Sequence, residues 1–136
     1  MKNLIVLFFI FTLLFSCNNE SESYPENFEV GIEKNFKLGD DYLSNVESLK
    51  FKISEINDSR CPSDVVCIWQ GEALVTIDVE MPVQGKLQLS TYDNQTDTLG
   101  DYSFELVEIS PYPISTKIIK LKDYTITLKI DKLSEN

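Results

Sequence analysis

The chain has 136 residues, enough for one domain with its own core, and carries 12 basic against 22 acidic residues for a formal net charge of −10. With acid in such excess, nucleic acid is a poor partner, because phosphate binding calls for clustered cations. Histidine is absent, which removes Ser-His and Cys-His nucleophile pairs and the commonest general base, and deprives a Zn²⁺ site of a usual ligand.

Met1-Lys2-Asn3 is a short basic start, and residues 4–15 are apolar except for Thr12. A membrane-spanning helix takes about 20 apolar residues, so this run reads as a cleavable signal-peptide core. The junction Leu14-Phe15-Ser16-Cys17 resembles the lipobox of bacterial lipoproteins. That resemblance implies cleavage before Cys17, acylation of its thiol and anchoring in the membrane; an ordinary secretory peptide with an incidental cysteine is the alternative. Residues 18–23, NNESES, lack large apolar side chains and should form a flexible tether. Glu20 and Glu22 look like the acidic signals of Gram-negative lipoproteins that reach the outer membrane. The expected division is a leader over 1–16, the lipidated cysteine and tether over 17–26, and a single β domain over 27–136.

Downstream, apolar and polar residues alternate. The period of two appears at Leu49, Phe51 and Ile53, over a longer stretch at Trp69, Gly71, Ala73, Val75, Ile77 and Val79, and at Tyr124, Ile126, Leu128 and Ile130. Shorter candidate strands lie at 28–32, 35–38, 86–91, 103–109 and 117–121, and one helical turn fits within 41–49. Turn residues at 39–41, 82–85, 92–97, 100–101 and 111–113 separate them. Seven or eight short strands at this spacing predict an all-β fold, an antiparallel β-sandwich or small barrel.

Once Cys17 is assigned to the lipid, Cys61 and Cys67 remain as a disulfide pair in an oxidising compartment. Closing so small a ring contributes roughly 2 to 2.5 kcal/mol in the loop-entropy picture. The surrounding run at 58–71, DSRCPSDVVCIWQG, also holds the sole Arg and the sole Trp. On a structural reading, Pro62 and the ring stiffen a loop, Trp69 opens the inward face that continues from Ala73 to Val79, Gly71 admits a bulge or a close strand, and Arg60 pairs with Asp58 or Asp64. On a recognition reading, the ring presents Arg60 and Asp64 to a partner, beside Trp69 and a displayed Tyr112. The structural reading is preferred, because a Trp opening an alternating strand is usually core. Pro111-Tyr112-Pro113 likewise makes either a rigid corner or a contact point, and the corner is the simpler expectation.

These residues resemble a recurrent group of small exported bacterial proteins and lipoproteins that carry Cys-Pro, a second Cys and Trp-x-Gly, here Cys61-Pro62, Cys67 and Trp69 to Gly71. The group also carries a later Pro-Tyr-Pro and a Tyr-led last strand, here Pro111 to Pro113 and Tyr124. The resemblance implies a β-rich fold and brings no activity with it. Asp93, Asp97 and Asp101, with Asn94, crowd one stretch and are a candidate Ca²⁺ site, but Thr98 occupies the sixth position where an EF-hand needs Gly, and a solvated turn accounts for them more simply.

No catalytic constellation and no cofactor motif emerges. The expectation is a lipid-anchored envelope module that binds a protein or glycan without catalysing a reaction. Its alternatives are an inhibitor of a secreted hydrolase and a small glycan-acting enzyme built on paired carboxylates.

Overall fold

The computed structural model of the protein describes residues 24–134; the leader and Cys17 lie outside the described residues. Nine strands follow in order: β1 (Glu26–Phe28), β2 (Glu33–Phe36), β3 (Asp41–Ser44), β4 (Lys50–Asp58), β5 (Ala73–Met81), β6 (Gly85–Ser90), β7 (Thr96–Leu99), β8 (Tyr102–Ser110) and β9 (Thr125–Lys132). One sheet has the order β1-β3-β4-β5-β6 and the other β2-β9-β8-β7. All neighbours are antiparallel except β1 and β3. This is the expected all-β fold, with the two sheets open rather than closed into a barrel. Among the described residues, no helix is long and apolar enough to cross a membrane.

The period-two rows form the core. Phe51, Ile53, Ala73, Val75, Ile77 and Val79 from one sheet face Phe104, Leu106, Ile126, Leu128 and Ile130 from the other, and all are buried. Phe51 is the hub of an aromatic cluster, with ring centroids 5.4 Å from Phe28, 5.3 Å from Phe36, 5.6 Å from Tyr42 and 5.8 Å from Phe104. Edge-to-face pairs at such spacings add to the burial of the rings themselves.

The structure departs from expectation in four places. Residues 41–44 form β3 rather than a helical turn, their pairing with β4 overriding any local helical tendency. Thr96–Leu99, which begins inside the turn expected at 92–97, pairs with β8 as an edge strand. Residues 117–121 form no strand: after an isolated bridge from Ile114 to Lys117, the chain runs into a 3-10 turn at Leu121–Asp123. Finally, β5 starts at Ala73, so Trp69 and Gly71 lie before it.

Connections gather at two ends. The disulfide loop at 59–72, the turn at 91–95 and the crossover at 111–124 share one end, here called the stapled end. The connections at 29–32, 45–49, 82–84 and 100–101 share the other. β1 runs parallel to β3, from Glu26 beside Tyr42 to Phe28 beside Ser44, and β3 is antiparallel to β4, which rises to the stapled end. The chain therefore comes into β1 from the stapled side.

Phe51→Ala empties the centre of the aromatic cluster and should destabilise the domain by about 3 to 5 kcal/mol, read as a lower urea midpoint with an unchanged slope.

Candidate binding site at the stapled end

The ladder between β4 and β5 continues past both strands, with Ser59 N donating to Glu72 O at 2.8 Å and Cys61 N to Gln70 O at 2.8 Å. Cys61 and Cys67 are disulfide-bonded beyond those rungs. Gly71 is needed in this ladder: its φ is +65°, and a Cβ there would lie 1.9 Å from the Ser59 carbonyl oxygen.

A buried ion pair fixes the loop to the sandwich. Arg60 donates from Nε to Asp58 Oδ1 at 2.8 Å and from Nη2 to Asp58 Oδ2 at 2.7 Å, and the two side chains are 7% and 5% exposed. Its remaining donors reach across to the second sheet, with Nη1 on Ile109 O at 2.8 Å and Nη2 on Pro111 O at 3.2 Å. The Tyr124 hydroxyl donates to Asp58 Oδ2 at 3.0 Å. The guanidinium also lies over the Tyr112 ring, 4.6 Å from its centroid. Burial raises the Asp58 pKa, but the Arg60 hydrogen bonds and charge outweigh it, and the carboxyl stays below its ordinary range. Burial, and then the Asp58 acceptor, push the Tyr124 phenol up to about 12.

A second clamp holds the tip. Asp64 accepts from Ser115 N at 2.7 Å and from Ser115 Oγ at 2.6 Å, and Ser63 N donates to Pro113 O at 3.0 Å. The Ser115 hydrogen bonds lower the Asp64 pKa.

These contacts divide the four residues named for recognition. The polar groups of Arg60 and Asp64 are taken up within the protein, while Trp69 and Tyr112 face solvent. Trp69 overturns the expectation that it opens the inward row, since it is 83% exposed. The left-handed backbone at Gly71 redirects the chain between Trp69 and Ala73 and interrupts the alternation there. Trp69 has company: Val66 and Ile68 are 101% and 96% exposed on the same loop. Sequence reasoning passed over this pair, although an apolar run inside a loop is itself the signal.

Two adjoining grooves flank the loop. One, of about 370 Å³, runs between the loop and β8 and is lined by Gln70, Tyr92, Val107, Glu108 and Tyr112 among others. The other, of about 520 Å³, is lined by Ile68, Trp69, Gln70, Glu72, Tyr92 and Asp93 among others. Val107 reaches the first groove because it is the extra residue of a bulge in β8, between Leu106 and Glu108. Tyr92 is positioned by Ser90, whose hydroxyl accepts from Tyr92 N at 3.0 Å and from Asp93 N at 3.3 Å while donating to the Glu72 carboxylate.

The candidate Ca²⁺ ligands are not brought together. Asp93 lies in the turn before β7, Asp97 within β7 accepting from Thr98 N at 2.8 Å, and Asp101 in the turn after it. Among the described residues no cluster of three or more acidic, Cys or His side chains is placed to hold a metal.

Asp58→Asn leaves Arg60 without a buried counter-charge and should cost about 3 kcal/mol or more. The Asp58 pKa is lower folded than unfolded, so its contribution is complete above the unfolded value of about 3.9 and is lost as pH falls through the folded value. Urea midpoints should therefore drop below about pH 4 in the wild type and drop less in Asp58→Asn. Trp69 should emit at long wavelength and be readily quenched by acrylamide, whether Cys61–Cys67 is oxidised or reduced, with the sandwich still folded in both states. No family model, curated protein or solved structure matches this chain; what the stapled end can do follows from its own side chains.

Proposed function

We propose that the chain is a lipid-anchored protein of the bacterial envelope, held through Cys17, whose domain is a non-enzymatic binding module with its ligand site in the paired grooves of the stapled end. The observation that supports this most is the convergence of Trp69, Tyr92 and Tyr112 on two grooves sharing Gln70 and Tyr92. Aromatic rings on a preorganised loop offer contact area at small entropic cost, and a few polar groups beside them set orientation. Gln70, Glu72, Asp93 and Glu108 supply amide and carboxylate groups along the same walls. Flat rings flanked by such groups suit a glycan, whose sugar faces stack on aromatics while its hydroxyls meet the polar side chains. A protein segment with an aromatic or apolar anchor is the other ligand that this chemistry fits.

Titration of the domain with oligosaccharides released from the bacterial envelope should shift Trp69 emission. Tyr92→Ala and Tyr112→Ala should each weaken that binding about tenfold, the size expected for removing one stacked ring. If no oligosaccharide shifts the emission and neither substitution alters capture of envelope proteins by crosslinking, the grooves are not the ligand site.

A further inference from the structure

Along and beside the grooves, the stapled end carries large apolar side chains that no described residue covers. Val66, Ile68 and Trp69 stand out from the disulfide loop, and Ile118, 92% exposed, stands out from the crossover clamped beside it. The crossover also carries Lys117, Lys120 and Lys122, which are three of the 12 basic residues in a chain with 22 acidic ones. All three are exposed, and none pairs with a described carboxylate.

We infer that the stapled end is a bilayer-docking face: Val66, Ile68, Trp69 and Ile118 enter the interfacial layer of a membrane while Lys117, Lys120 and Lys122 meet its anionic headgroups. Two observations choose a lipid surface over a protein one. Lysine is depleted at protein interfaces, whereas an indole beside aliphatic and basic side chains is the composition of the membrane-water boundary. The four apolar residues also sit on projecting loops, a shape that penetrates a soft layer.

Tyr24 precedes β1 about level with Ile53, roughly 16 Å along β4 from Asp58 at the stapled end and roughly 10 Å from Lys50 at the other. The step from Cys17 to Tyr24 is seven residues and can span at most about 25 Å. A lipid on Cys17 would therefore leave either end of the sandwich within reach of the bilayer, and the choice of the stapled end rests on its side chains. Attachment turns a weak docking contact into an intramolecular one at millimolar effective concentration. The attachment rests on acylation of Cys17; the docking itself does not.

The sole Trp of the chain is the reporter. With Cys61 and Cys67 bonded, residues 17–136 can be coupled through Cys17 to a maleimide lipid in vesicles of phosphatidylcholine, with or without phosphatidylglycerol. Residues 24–136, which contain all the described strands, serve as the unattached form. Docking predicts a blue shift of Trp69 emission on the coupled vesicles and quenching by brominated acyl chains. For the unattached form it predicts partitioning that favours phosphatidylglycerol and weakens with salt. Val66→Asp with Ile68→Asp, both at exposed positions that leave the core intact, should lower partitioning tenfold or more. Lys117→Gln with Lys120→Gln and Lys122→Gln should abolish the lipid preference.

Coupled protein whose Trp69 stays red-shifted and unquenched overturns the inference, as does a shift that survives the aspartate pair. Crosslinking of the same apolar residues to an envelope protein, without any lipid effect, would assign the face to a protein partner instead. Release of the chain from cells when Cys17 is intact would sink the anchor, whereas docking stands or falls separately, on vesicle binding by the unattached domain.

Discussion

Asp58 ends β4 with its carboxylate sealed from water, a placement that is tolerable only if the charge is met. Arg60 meets it from two residues away, and the remaining guanidinium donors take the carbonyls at the end of β8. Tyr124 meets it from the residue that leads into β9. One buried charge thus joins three strands from both sheets, and the loop between Asp58 and Ala73 takes its position from that junction. The disulfide acts further out, on a ring already seated. Local covalent closure and long-range electrostatic fixation are therefore separate devices here, the first shaping the tip and the second aiming it.

This division explains how a loop can display apolar side chains without disturbing the fold. The hydrophobic core is complete between the two sheets, with the Phe51 cluster at its centre, and draws nothing from residues 61–70. The apolar surface of the loop therefore has no structural work to do inside the domain. Its rigidity comes instead from polar contacts to the 111–124 crossover, so the disulfide loop and the crossover form a single platform.

The strands were legible wherever one face is buried along the whole element, as in β4, β8 and β9, because the core imposes the period of two on the sequence. β3 and β7 were not, being four-residue elements defined by what they pair with rather than by their own pattern. Trp69 misled for an instructive reason: it stands four residues before Ala73, in step with the inward row, yet the left-handed turn at Gly71 intervenes. Spacing alone could not register that turn, although a Trp-x-Gly beside a cysteine ring was a cue that the backbone there is unusual. The Asp58–Arg60 pairing was among the contacts expected, while its anchorage to Ile109, Pro111 and Tyr124 depends on a crossing of the sheets that no local pattern encodes. Val66 and Ile68 were visible as letters and overlooked as a surface.

β1 is three residues long, lies at the edge of its sheet, and among the described strands pairs only with β3, in their one parallel strand pairing. A pull on the chain ahead of Glu26, directed toward the stapled side, runs along the axis of this strand and loads its hydrogen bonds in shear, all at once, rather than peeling them one by one. Phe28 resists the same pull as a plug seated against Phe36 and Phe51. Mechanical load arriving at the amino terminus is thus borne by one short strand and one aromatic ring, which makes β1 the fuse of the domain.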